Sequence, residues 1–258
     1  MVDNQQNGVI GNDITYRSGD ADIKAYLAQP DPQGACDQNA DMAVPRPGLI
    51  VIHEIWGLTE HIRDVARRFA GRGYAVLAPD LFTREGSPQI DPTDRASIMK
   101  FIGAIPDRRV VADLEAGVDY LQGPPVKTSR VGSIGFCMGG LYSYLLAVHS
   151  TQLAAAVDFY GRIVYAEKTA NKPASPLDLV AQLKCPLLGN FGEADQGIPV
   201  ADVEQLRERL QTVAQPSKIN VYPGAGHAFF NDTRPAYHKE AADAAWRETL
   251  QFLQAHLS

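Results

Sequence analysis

The chain has 258 residues, 45% of them apolar and 21% charged, proportions that place it among folded globular proteins and outside the disordered and fibrous classes. Its net charge of −6 comes with Lys and Arg scattered along the chain, so the basic face of a nucleic-acid binder is missing, and no apolar run nears the ~18 residues of a membrane span. The polar start from Met1 to Asp13 lacks the pattern of a signal peptide, which reads as a cytoplasmic protein with neither nucleic acid nor membrane as partner.

Ile14 to Arg17 and Ile23 to Leu27, around the turn Ser18-Gly19-Asp20, predict an N-terminal β-hairpin at about 13–28. Gln29 to Gly48 reads as loop. Leu49 to Ile52 is a continuous apolar run, as in a strand buried on both faces. Ile62, Val65, Ala66 and Phe69 then recur at helical spacing until Gly71 and Gly73. Ala75 to Ala78 is the next strand. It precedes a helix with Val110, Leu114, Val118 and Leu121 on one face, closed by Gly123-Pro124-Pro125.

The alternation continues with a strand over Val131 to Gly135, a helix from near Met138, and strands over Ala154 to Phe159 and Pro186 to Phe191. A helix carrying Val203, Leu206, Leu210 and Val213 follows, then a strand over Lys218 to Tyr222 and a last helix with Trp246, Leu250, Leu253 and Leu257. Repeated strand-helix units predict an α/β fold over 1–258, a single domain with a mostly parallel sheet covered by helices on both faces. Ligands of such sheets bind beyond the carboxyl ends of the strands. Arg162 to Leu177, rich in Ala, Lys and Pro, has the composition of a mobile segment near the site.

The strongest chemical signal is Gly135-Phe136-Cys137-Met138-Gly139-Gly140, which has the G-x-S-x-G spacing with Cys in place of Ser, between a buried strand and a helix. A nucleophile elbow holds its central residue in a strained turn, so the neighbouring positions must lack side chains for strand and helix to approach. The Met138 N–H, at the helix start, would face a developing oxyanion. Most buried cysteines are inert packing residues; the glycine spacing is what singles out Cys137. Cys36, in the loop, and Cys185, before Pro186, lack such a setting. Three cysteines this far apart form neither a disulfide framework nor a CxxC-type metal site.

An elbow of this kind predicts an acid and then a histidine later in the chain, each just beyond a strand. The loop Gly192 to Pro199 supplies Asp195, and Pro223-Gly224-Ala225-Gly226 leads into His227. His227 is the candidate general base and Asp195 the carboxylate that fixes its tautomer. Asp158 and Glu193 are the alternatives for the acid, and a helix N-cap is the alternative role for Asp195. His61, His149, His238 and His256 fall in predicted helices, and His53 adjoins the first central strand.

At these residues the chain resembles the dienelactone hydrolase family of α/β-hydrolases. Four segments carry the likeness, which runs from about Gly48 to His227: His53-Glu54-Ile55-Trp56-Gly57 with Ile62-Arg63-Asp64; Gly73 to Phe82; the Gly135 to Gly140 elbow; and Phe191 to Asp195 with Gly226-His227-Ala228-Phe229. The resemblance implies hydrolysis of an ester or lactone by a Cys-Asp-His triad, through a thioester and without a cofactor or metal. It also implies that Glu54 takes part in converting the thiol to thiolate and that the Ile55 N–H is the second oxyanion donor beside Met138.

In the family's namesake two arginines bind the substrate carboxylate. Arg84 matches one of them, and Asn231 stands at the other position, with Arg234 nearby; Asn has neither the charge nor the donor fork of Arg. Trp56, Tyr160 and Phe229 complete the candidate substrate contacts. A broader carboxylesterase or thioesterase is the alternative reading, and a non-catalytic binder on a hydrolase scaffold is the third. A metal hydrolase lacks its H-E-x-x-H set, because His53-Glu54 has no second histidine at the right spacing. The expected partner is a small ester or lactone, bound by a monomer or weak homodimer.

Overall fold

The computed structural model describes residues 8–32, 45–90 and 94–258. Its eight strands form one sheet in the order β1-β2-β4-β3-β5-β6-β7-β8. The strands are β1 (Val9–Ser18), β2 (Ala21–Pro30), β3 (Gly48–Ile52), β4 (Ala75–Pro79), β5 (Val131–Phe136), β6 (Leu153–Phe159), β7 (Leu187–Gly192) and β8 (Ser217–Tyr222). The β1/β2 and β2/β4 pairs are antiparallel, and all pairs from β4 to β8 are parallel.

The expected hairpin is present and longer than its apolar alternation indicates. It pairs Val9 with Pro30 at one end and Ser18 with Ala21 at the other. The parallel strands β3, β4, β5 and β7 are buried at every residue, as their continuous apolar runs require.

Six helices follow: α1 (Glu60–Ala70), α2 (Arg95–Ala104), α3 (Asp107–Gln122), α4 (Met138–His149), α5 (Val200–Leu210) and α6 (Lys239–Leu257). The Phe69 ring of α1 packs on Trp246 of α6, with centroids 4.6 Å apart. On the other side α3 packs against α4, and the 3₁₀ turn Pro176–Gln182 against both α4 and α5. Helix α4 is buried from Met138 through Val148, which explains why its sequence is apolar all round instead of striped.

Helix α2 has no counterpart among the sequence expectations. Ile98, Phe101, Ile102 and Ile105 recur at helical spacing on its inward face, and the Asp94 side chain caps Ser97 N–H at 3.0 Å. His238 corrects another expectation, because it is the N-cap of α6 and accepts from Ala241 N–H. Cys36 lies outside the described residues.

The segment from Arg162 to Leu177 is anchored. Lys172 Nζ lies 2.6 Å from Asp107 and donates to Tyr142 Oη at 2.7 Å, while Tyr165 donates to the other Asp107 oxygen at 2.7 Å. Ser175 closes a capping box with Asp178 at the start of the 3₁₀ turn. Its Ala-, Lys- and Pro-rich composition is that of a linker, but the polar groups are spent on α3 and α4.

Candidate active site

From β3 the chain crosses to β4 on one side and later to β5 on the other, so the crevice between the carboxyl ends of β3 and β5 is the topological switch point where α/β sheets bind ligands. Glu54 follows β3 and Cys137 follows β5. Tyr160, Asp195 and His227 follow β6, β7 and β8 along the same edge.

The elbow is held by close backbone packing. Cys137 takes φ 55° and ψ −113° at the N-cap of α4, and its N–H donates to Phe159 O at 2.9 Å. A Cβ on Gly135 would lie 1.8 Å from Gly139 O, and one on Gly139 would lie 2.2 Å from Ile52 O. Below the turn, Ser133 and Ser143 share a buried 2.8 Å hydrogen bond that ties β5 to α4. Among the described residues no backbone carbonyl takes the N–H of Ile55 or Met138. For Met138 this follows from its place as the first residue of a helix.

The structure brings Cys137, His227 and Asp195 together. Asp195, 5% exposed, accepts from His227 Nδ1 at 2.7 Å through one oxygen and from Gly197 N–H at 2.8 Å through the other. That leaves Nε2 of His227 for the sulfur, and the Cys137 thiol group acts on the ring electrostatically. Burial opposes charging the imidazole, but Asp195 and a negatively charged Cys137 outweigh it and push its pKa up to about 10, the value of the imidazolium that faces a deprotonated sulfur. Asp195 is not a helix cap: α5 begins at Val200 behind Pro199.

The alternative acids are engaged elsewhere. Glu193 is exposed and accepts from Gly224 N–H. Asp158 accepts from Gly161 N–H at 2.7 Å and lies against Gly140, where a Cβ would come within 2.2 Å of it; burial pushes its pKa up to about 7. Cys185 is buried with no charged partner, which pushes its thiol up to about 12 and keeps it unreactive.

Glu54 is 5% exposed and accepts from Asn231 Nδ2 at 2.8 Å. Burial raises its pKa, against the opposing pull of the Asn231 hydrogen bond and the His227 and Arg234 charges. His53, fully buried, donates from Nδ1 to Glu54 O at 2.5 Å and accepts from Leu81 N–H at 3.0 Å, so it shapes the turn that presents Glu54.

The expected carboxylate-binding residues are placed differently. Arg84 is withdrawn from any ligand: Nε and Nη2 donate to the two oxygens of Asp113, Nη1 to Asp20, and Nη2 also to Ser18 O. Asn231 is buried and spent on Glu54 and Thr233. Phe229 is fully buried, with its ring centroid 6.1 Å from Phe159, 5.4 Å from Tyr160 and 5.3 Å from Tyr222. The cation the sequence motifs did not emphasise is Arg234, which is exposed, stacks 4.9 Å above the half-buried Trp56 ring and acts on Glu54. Its signal was the departure of Asn231 from the namesake's pattern, not its own spacing.

An elbow after β5, a carboxylate after β7 and a histidine after β8 on a mostly parallel eight-stranded sheet define the α/β-hydrolase class. Comparison with known proteins narrows the class. A model described as "Dienelactone hydrolase family" matches residues 23–257. The chain is 38% identical over 251 residues to a Methylorubrum extorquens protein named "Putative carboxymethylenebutenolidase", covering 97% of this chain and 82% of that one. It is 36% identical over 234 residues to a Bradyrhizobium protein named "Probable 2-oxo-3-(5-oxofuran-2-ylidene)propanoate lactonase", covering 90% and 89%. A crystal structure of a "Putative Dienelactone Hydrolase" from Klebsiella pneumoniae superposes with a TM-score of 0.86 at 36% identity, over 97% of this chain and all of that one. The chain belongs to the dienelactone hydrolase family and is a hydrolase of ester or lactone bonds.

Proposed function

We propose that the bond is cleaved by Cys137 through an acyl-enzyme thioester. The observation that carries this reading is the 2.7 Å hydrogen bond from His227 Nδ1 to the buried Asp195, with Cys137 acting on the same imidazole from the strained elbow at the mouth of the switch-point crevice. His227, made basic by Asp195, takes the thiol proton, and Glu54 assists when substrate draws it from Asn231. The thiolate attacks the carbonyl carbon while the Ile55 and Met138 N–H groups hold the oxyanion, each contributing about 3 kcal/mol to transition-state stabilisation. The alkoxide leaves with the proton from His227. Water, activated by the same imidazole, then hydrolyses the thioester and frees the thiol.

For the substrate, Arg234 over Trp56 offers a cation beside Glu54, and the Bradyrhizobium relative is named for a lactone that carries a carboxylate. One observation favours a broader range of esters: Arg84 and Asn231 are both occupied by protein partners, so the two-arginine clamp of the namesake is not assembled. A panel of neutral aryl esters and carboxylate-bearing lactones, run on wild type beside Cys137→Ala, tests both points. Loss of roughly 10⁴-fold in turnover on every substrate, with unchanged unfolding temperature, is expected. Full turnover in the variant rules out the mechanism. The ratio of lactone to aryl ester kcat/KM decides the breadth.

A further inference from the structure

Among the described residues, Tyr160 brings a large side chain with an unpartnered polar atom to the site. The residue is fully buried at the carboxyl end of β6, and its hydroxyl is enclosed without a hydrogen-bond partner. Its backbone is also unusual. It takes φ 44°, a left-handed conformation that a bulky aromatic residue adopts only under constraint, fixed here by the 2.9 Å bond from Tyr160 N–H to Asn190 O. Its ring stands 5.2 Å from the His227 ring and 5.4 Å from Phe229. Phenylalanine would fill the same ring space without burying an unpaired hydroxyl, so the phenol costs stability in the resting protein. Strained backbone and an unmet donor at one residue beside a nucleophile point to a partner that forms only during the reaction.

We propose that Tyr160 is a positioning residue for the Cys137 thiolate: its hydroxyl has no acceptor while the sulfur keeps its proton, and donates to the sulfur once that proton has passed to His227 Nε2. The proposal rests on the cysteine mechanism above. Only a proton moves, from Sγ to Nε2, and the Tyr160 O–H stays intact.

The surroundings favour this assignment. Burial, then the nearby acidic groups Glu54, Cys137 and Asp195, keep the phenol protonated and therefore a donor. Of those three, Asp195 has its two oxygens committed to His227 and to Gly197, and Glu54 has one oxygen held by Asn231. The sulfur is the group that changes from a weak acceptor to a strong one within the cycle. His227, the one cation-forming group packed on the Tyr160 ring, receives the proton and so completes the pair.

The test is the pH dependence of Cys137 alkylation by iodoacetamide, read by mass spectrometry in wild type, Tyr160→Phe, Glu54→Gln and the double variant. The expected result is a profile moved up by about one pH unit in Tyr160→Phe, hence alkylation about tenfold slower at neutral pH, with an unfolding temperature equal to or above wild type. The same shift should persist in the Glu54→Gln background. Coincident profiles for wild type and Tyr160→Phe overturn the proposal, as does a lowered unfolding temperature with no change of profile, which makes the hydroxyl structural. A shift that vanishes in the Glu54→Gln background assigns the hydroxyl to Glu54 and also overturns it. An unreactive Cys137 in wild type, by contrast, defeats the cysteine mechanism itself.

Discussion

Cys137, Asp195 and His227 come from three strand ends more than fifty residues apart at the widest step, yet each carried a local sign of its role. Cys137 had flanking glycines, His227 a Gly-rich approach, and Asp195 a loop between strand and helix. Their contact is a product of topology and had to be inferred from chain order. What the residues alone did not disclose is which polar groups are already satisfied. Arg84 looks like a free cation in Asp80-Leu81-Phe82-Thr83-Arg84, but Asp113 in α3 and Asp20 in the β1/β2 turn take its donors. Those partners are distant in sequence, so no local pattern announces them.

The His227 and Asp195 pair makes a prediction about stability and pH. The imidazole of the folded protein is raised from 6.5 to about 10 by Asp195 and a charged Cys137 together, so the stabilisation it gains from them is complete below about pH 6.5 and is lost as pH rises through 10. Thermal unfolding of wild type and Asp195→Asn across pH 5 to 10.5, ranges chosen roughly to bracket those values, should show the largest gap in unfolding temperature at the acid end. The gap should close on the alkaline side. A gap that widens with pH contradicts the assignment.

Among the elements, the parallel strands were legible because burial on both faces writes itself as an unbroken apolar run, and α1, α3, α5 and α6 because one face is buried and the other is not. Helix α2 has Ile98, Phe101, Ile102 and Ile105 on one face too, but the stripe is short and the exposed Met99 beside it blurs the pattern. The anchors of the 162–177 segment, Lys172 and Tyr165 on Asp107, are tertiary, so its linker-like composition does not announce them.

The elbow is the element on which the chemistry depends, and glycine packing sets it. Gly139→Ala puts a methyl group 2.2 Å from Ile52 O, so either β3 or the turn must move. The expected outcome is a loss of about 2 kcal/mol or more in denaturant unfolding, with activity falling further than the folded fraction does. Unchanged unfolding and turnover would show that the backbone contact does not hold the nucleophile.

For the whole molecule, one sheet gathers five functional loops onto a single edge, and the order of its strands decides which loops meet. The switch between β3 and β5 brings the Glu54–Ile55 turn to the same edge as Cys137 and Met138, while β7 and β8 bring Asp195 and His227 from the other side. A continuous layer of rings lies under that edge, from Tyr160, Phe229 and Phe159 through Phe136 and Phe230 to Trp246 and Phe69 of the helical layer. It gives the histidine a firm backing. The α/β alternation visible in the sequence is enough to locate that edge.

The central claim is that an acyl group rests on one sulfur during turnover. Intact-protein mass spectrometry after rapid mixing with a slowly turned-over aryl ester tests it most directly. The account predicts one added acyl mass, located on Cys137 by peptide mapping and decaying at the rate of turnover. Turnover with no adduct in the burst, or an adduct on any other residue, would contradict it.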